Sequence, residues 1–404
     1  MSVTQPSTAR FVPLLALGQI FGWGTTYYMP SVLAPALARD LGLDTTGIYL
    51  GVTIMVAIGG LAAPTAGRLL DAHGAARFMP LAPLAIGCGH LLVAAFPSAA
   101  TWYLAWVLHG IAMPFGLTLA ATTFLTRRSA SEARRTIGIL TLLVGFAPTA
   151  FWPLTALLEA WVDWRGTLVV YGAIELLLLL PLQIHVGRVW ADGTPVAPAE
   201  RSDAATTTAA EPALTGATRT IAIAAMVIAF TTQGFASWGL PLHVIRLFED
   251  LGLDHHTAVT VAAASGAATI GARTLEVAFG HRLHPLTTTG LAILVLTPML
   301  ALLGSPLDPL TSAWVFIVVW SGANGILAVL RMTLPLSLFG AAAYGTLVGR
   351  MSLPQNLAFA AAPAVFAVVI DRGGPTAALW LAIAASLTAL IAAVVLARIA
   401  RPRA

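Results

Sequence analysis

Lysine does not occur in this chain of 404 residues, cysteine occurs once, and only 9% of the residues are charged. Each shortage excludes something. A single cysteine, Cys88, rules out an intrachain disulfide and a cysteine-rich metal site, and its place in an apolar run assigns it to packing. A soluble globular domain carries about 25% charged residues, so this chain has too little polar surface to face water on all sides. Without lysine, all 21 basic residues are arginines. They are dispersed between apolar runs instead of gathered on one solvated face, which argues against a nucleic-acid partner despite a pI near 9.7.

What the chain does contain is apolar: 58% hydrophobic residues and a mean hydropathy of +0.86. That is the composition of an integral membrane protein. A hydrocarbon core about 30 Å thick takes roughly 20 apolar residues per helix. Twelve runs of suitable length are present: 11–38, 48–70, 78–96, 102–125, 136–158 and 167–186, then 220–245, 258–275, 286–303, 313–334, 346–370 and 376–396. Runs this long, without alternation, exclude barrel strands and predict an all-α membrane protein of twelve helices. The first run continues past Tyr28 with no small-residue cleavage site, so it is expected as a retained helix and not a signal peptide.

Between residues 188 and 219 the chain is rich in charge, proline and small polar side chains and has almost nothing to bury. It reads as a cytoplasmic linker between an N-terminal six-helix half, residues 1–187, and a C-terminal half, residues 220–404. With both termini in the cytoplasm, only Arg39, Arg165, Arg246 and Arg372 fall on the far side, leaving 17 of the 21 arginines inside. That bias sets the orientation, and the expected location is a plasma membrane, the bacterial inner membrane. The halves share a faint repeat. Leu41-Gly42-Leu43-Asp44 recurs as Leu251-Gly252-Leu253-Asp254, and Arg68-Leu-Leu-Asp71 as Arg273-Thr-Leu-Glu276, 210 and 205 residues on.

Polar and aromatic residues recur at helical spacing in three of the runs: Gln19, Trp23, Thr26 and Tyr27 in helix 1; Trp102, Trp106, His109 and Met113 in helix 4; Trp320, Asn324 and Arg331 in helix 10. Helix 7 adds Gln233 and Trp238. A buried amide or imidazole without a partner costs a few kcal/mol, so these side chains must face one another, water or a ligand. Glu175 is the one carboxylate well inside a run. An ionised acid there costs about 2.5–3.5 kcal/mol on insertion scales, so it must be protonated, paired or wetted.

The turn after helix 2, Gly67-Arg68-Leu69-Leu70-Asp71-Ala72-His73-Gly74-Ala75-Ala76-Arg77, resembles the conserved cytoplasmic loop of the major facilitator superfamily, although alanines stand at three usually basic positions. Trp161-Val-Asp-Trp-Arg165 is similar to the turn many members carry before helix 6. The resemblance implies two pseudo-symmetric six-helix halves that transport a solute by alternating access. It also implies a cavity lined mainly by helices 1, 4, 7 and 10, with helices 3, 6, 9 and 12 outside. Cavity candidates are then Gln19, Trp23, Tyr27, Trp106, His109, Gln233, Trp238, Trp320, Asn324 and Arg331, against the alternative of interhelical bonding and an interfacial aromatic belt. Gly67, Asp71, Gly74, Arg77 and Arg350 would form a conformational gate: Gly67 for close helix approach, Gly74 for a tight turn, and Asp71 to hold Arg350 at the end of helix 11. His109 and Glu175 are the candidate proton sites, Glu175 set against a structural acid on a peripheral helix. Arg331 is either a snorkelling cation or the anchor of an anionic substrate.

Arg134-Arg135 with Gly145 ten residues on is similar to the monocarboxylate-transporter branch, which makes a small organic acid the expected solute and proton coupling the expected drive. An efflux permease for drugs or metabolites is the alternative. A membrane-embedded enzyme would need a metal-ligand or acid–base cluster that is not in the sequence, and a channel would need rings of like residues about an axis. No cofactor or metal is implied. The expected partners are a small-molecule substrate and the lipid bilayer, and the expected state is a monomer.

Overall fold

The computed structural model describes residues 11–128, 130–191, 216–279, 283–303, 307–339 and 344–400, and among them every regular element is helical. Most of the linker expected at 188–219 lies outside the described residues. Contacts separate the chain into two compact units, residues 1–202 and 203–404.

Eight helical stretches are long and apolar enough to cross a membrane, and two of them, Thr136–Val189 and Leu353–Ala400, are 54 and 48 residues long. Each of these is a pair of helices meeting at a non-helical residue, Asp163 in one and Gly374 in the other. Helix 1 and helix 8, His255–Phe279, complete twelve crossings among the described residues, six in each unit. Large apolar side chains point outward, Leu61 and Leu177 being 76% and 79% exposed. The same holds for Cys88, which is exposed on the outer face of helix 3 and does not pack as expected.

Helix ends overrun the apolar runs. Helix 2 spans Thr45–His73 and helix 10 spans Pro309–Phe339, helix 6 ends at Ala191 and helix 7 begins at Gly216. Arg68 and Asp71 therefore belong to the last turns of helix 2 and not to a turn after it, and both edges of the expected linker are helical. Apolar composition reports where the hydrocarbon ends, whereas a helix stops only where its backbone bonding is broken.

The repeat Leu-Gly-Leu-Asp is a pair of caps. Gly42 and Gly252 end the first helix of each unit in the left-handed region, at φ 66° and 97°. The residue after each reaches back five positions, Leu43 N to Ala38 O at 3.0 Å and Leu253 N to Phe248 O at 3.2 Å. Asp44 and Asp254 then cap the next helix, accepting from Gly47 N at 2.7 Å and Thr257 N at 3.1 Å. In the second repeat Arg68 donates to Thr65 Oγ1 and Arg273 to the Gly325 carbonyl.

Among the described residues two crossings contain a π-helical turn, and a proline follows each closely. In helix 1, Val12–Trp23 loosens into Gly24–Tyr28 before Pro30–Leu41, with Met29 N bonding Gly24 O at 3.0 Å. In helix 6 the π-turn is Glu175–Leu179, two residues ahead of Pro181. Proline has no N–H to give the carbonyl four residues back, and its ring crowds that carbonyl, so the preceding turn widens.

Candidate functional site

In the N-terminal unit, polar residues from five helices meet. Gln19 Nε2 donates to the Gly116 carbonyl at 2.9 Å, and Thr118 Oγ1 donates to Gln19 Oε1 at 3.5 Å. Helix 4 breaks at this point, at Leu117 with φ −95° and ψ −148°. Gln19 thus satisfies groups freed by the break and is itself fully buried. Beyond it, Trp23, Tyr27, Tyr28 and Trp152 form an edge-to-face chain with centroid spacings of 6.1, 5.1 and 5.5 Å.

Trp106 is 1% exposed and stacks edge-on against His109 at 5.4 Å; His109 in turn meets His90 of helix 3 at 5.2 Å. A side chain at Gly89 would collide with the His109 ring, so the glycine makes this approach possible. The carbonyl of Thr25 lies beside His90 and that of Ile86 beside His109, but no ring nitrogen of the pair makes a well-formed hydrogen bond among the described residues. His90 was absent from the sequence candidates because the family layout puts helix 3 on the outside. The available signal was a lone imidazole beside glycines, in Gly87-Cys-Gly-His90.

Glu175 is turned inward, while Leu177 and Leu178 of the same helix face outward. It is 1% exposed, its Oε1 lies 3.2 Å from Thr25 Oγ1, and no cation is within ion-pair range among the described residues. One turn before it, Tyr171 shares a 2.7 Å hydrogen bond with Thr155 of helix 5.

The C-terminal unit holds a second network. Gln233 Nε2 donates to Asn324 Oδ1 at 3.3 Å and to Ser237 Oγ at 3.4 Å, while Ser386 Oγ of helix 12 donates to Gln233 Oε1 at 3.1 Å. Ser237 also bonds Asn324, whose Nδ2 donates to the Trp320 carbonyl at 2.9 Å. Trp320 is buried and stacks on Phe316. Trp238 lies parallel to Phe359 of helix 11, 5.5 Å between centroids and 6° between planes. The Arg331 guanidinium sits 5.4 Å over the same Phe359 ring, with its Nε buried and unbonded and no carboxylate in ion-pair range among the described residues.

At the expected gate, Gly74 has φ 86° and its N–H bonds the Leu70 carbonyl at 2.9 Å, a turn only glycine makes easily. No atom of the described residues lies within 4 Å of where a Gly67 Cβ would be. Arg77 is exposed. The side chains of Asp71 and Arg350 lie outside the described residues.

A family model described as Major Facilitator Superfamily matches residues 15–358. A curated relative, an uncharacterized 38 kDa protein in the 23S RNA operon of Thermoproteus tenax, is 28% identical over 163 residues, which is 39% of this chain and 42% of that protein. The chain therefore spans less than half of that relative. Among solved structures, a bacterial homolog of the human lysosomal transporter Spinster, in an inward-facing and occupied conformation, matches with a TM-score of 0.68 and 16% identity. That match covers 98% of this chain and 97% of the other and is a likeness of fold.

Proposed function

The chain belongs to the major facilitator superfamily, and on that premise we propose that it carries a small organic anion by alternating access, in company with a proton. As a family member it is a multi-pass membrane transporter and not an enzyme. The observation that carries the anion is Arg331, a guanidinium over the Phe359 ring with no acidic partner among the described residues. Its planar fork suits a carboxylate, and Trp238 and Phe359 supply an apolar flank for the rest of a small acid. Asn324, two turns earlier on the same face, is a further polar contact. Asp71 and Arg350, with the Gly74 turn, are proposed as the gate; the arginine distribution supports cytoplasmic termini, and a bacterial inner membrane and a linker between two transporting halves are proposed with them.

A second reading, export of apolar or drug-like solutes, draws on the Trp23–Tyr27–Tyr28–Trp152 aromatic chain. Purified protein in proteoliposomes separates the two. Accumulation of radiolabelled small monocarboxylates above the external concentration, driven by an inward proton gradient, supports the first. Protein-dependent loss of a lipophilic dye without acid uptake supports the second.

A further inference from the structure

We propose that Glu175 is a proton-binding site whose occupancy is read by the π-turn of helix 1 through the Thr25 hydroxyl. For its role in coupling this rests on the transport reading above; the site itself is tested without any solute.

The inference follows from counting protons. Thr25 Oγ1 lies 2.9 Å from the Phe21 carbonyl and 3.2 Å from Glu175 Oε1. A carbonyl oxygen only accepts, so the proton between Phe21 and Thr25 must be the one hydroxyl proton of Thr25. None is left for the carboxyl group. Both contacts close together when Glu175 carries a proton and donates it to Thr25 Oγ1. When that O–H bond breaks and the proton passes to water, the carboxylate becomes acceptor-only, Thr25 turns its proton toward it, and the Phe21 carbonyl loses its hydroxyl donor and keeps only its share of a backbone N–H.

Phe21 is well placed to report the change. Its carbonyl shares the Gly24 N–H with the Ile20 carbonyl at the boundary between Val12–Trp23 and the π-turn Gly24–Tyr28. Glu175 opens the other π-turn, Glu175–Leu179. One hydrogen bond therefore joins two turns whose backbone bonding is already loosened, and π-turns inside helices recur at functional sites. On the helix 1 side lie Trp23 and Tyr27.

The titratable groups around this pair are His90 from helix 3, beside the Thr25 carbonyl, His109 behind it from helix 4, and Tyr171 one turn before Glu175 on helix 6; Tyr27 and Tyr28 follow Thr25 in the same π-turn. Helix 5 contributes the uncharged Thr155. No arginine is in ion-pair range among the described residues, so a proton is the cation at hand for the carboxylate.

The test uses the full chain, purified in lipid nanodiscs. Infrared titration is expected to show the carbonyl stretch of a buried protonated acid, lost in Glu175→Gln, shifted in Thr25→Val and restored in Thr25→Ser. Amide hydrogen exchange over residues 20–29, corrected for intrinsic rates, is expected to depend on pH in the wild type and to lose that dependence in Glu175→Gln. A band that survives Glu175→Gln, or a frequency unmoved by Thr25→Val, overturns the assignment. If Glu175→Gln does not fold, Thr25→Val and Thr25→Ser decide the matter alone. Failure of acid uptake leaves these spectra untouched, so the two readings fail separately.

Discussion

Asp163 and Gly374, 211 positions apart, adopt one backbone conformation: φ 57° and ψ −176° at Asp163, φ 73° and ψ 178° at Gly374. Each joins helix 5 to helix 6 of its own unit. The region is nearly glycine-only and costs another residue about 1–3 kcal/mol. Asp163 offsets this by capping helix 6, its Oδ1 accepting from Arg165 N at 2.6 Å and Gly166 N at 3.0 Å. Asp163→Ala keeps the strain and loses the cap, so its melting temperature in a fixed detergent should fall below that of Asp163→Gly, and Gly374→Ala should lose about 1–3 kcal/mol. Asp163→Ala melting with the wild type would mean that the cap contributes nothing.

The Arg331 assignment divides on two substitutions. If the guanidinium binds a carboxylate, Arg331→Lys raises the apparent substrate constant and Arg331→Gln nearly abolishes uptake of radiolabelled small monocarboxylates, normalised to surface expression. If it only snorkels, lysine is silent and glutamine mild. Silence in both removes the anion reading.

Gln233 is 3% exposed and its amide is bonded on both sides, to Asn324 of helix 10 and Ser386 of helix 12. Gln233→Leu strands Ser386 and Asn324 and should cost about 0.6–2 kcal/mol of stability, read as earlier thermal unfolding, with the substrate constant unchanged. A large rise in that constant at unchanged stability would instead make Gln233 a ligand.

The end of helix 1 is tied to the start of helix 6 by Asp40 and Trp164, whose Nε1 donates to Asp40 Oδ2 at 2.8 Å. This bond, and then that from Arg39, hold the Asp40 carboxyl below its ordinary range. A carboxyl with a lowered folded-state pKa contributes its full stability above the unfolded value, about 3.9, and loses it as pH falls through the folded one. Melting temperature should therefore drop more steeply below about pH 4 in the wild type than in Asp40→Asn or Trp164→Phe. Parallel curves for all three would remove the link.

Asp71→Asn keeps shape while removing the charge proposed to hold Arg350, a bond worth about 1.5–3 kcal/mol where a charged group takes part. Uptake is expected to fall sharply with expression unchanged. Near wild-type rates would take Asp71 out of the gate.

The twelve crossings, and the repeat that proves in the structure to cap helices at Gly42, Asp44, Gly252 and Asp254, were legible in the sequence alone. Burial in a bilayer rewards each apolar residue whatever its neighbours are, and a cap is closed by residues within five positions of one another. The facing of the helices was not legible. The stripe of Gln19, Trp23 and Tyr27 was visible, but that Gln19 mends the break in helix 4, that Trp106 turns toward Gly51 of helix 2, and that His109 turns toward helix 3, was not. A soluble helix marks its inner face by contrast with a polar outer one. Here both faces are apolar, so periodicity says little about rotation about the axis, and small residues such as Gly87 and Gly89 decide how closely helices approach. Only the tertiary structure brought His90 against His109, and Thr25 against a carboxyl group 150 positions away.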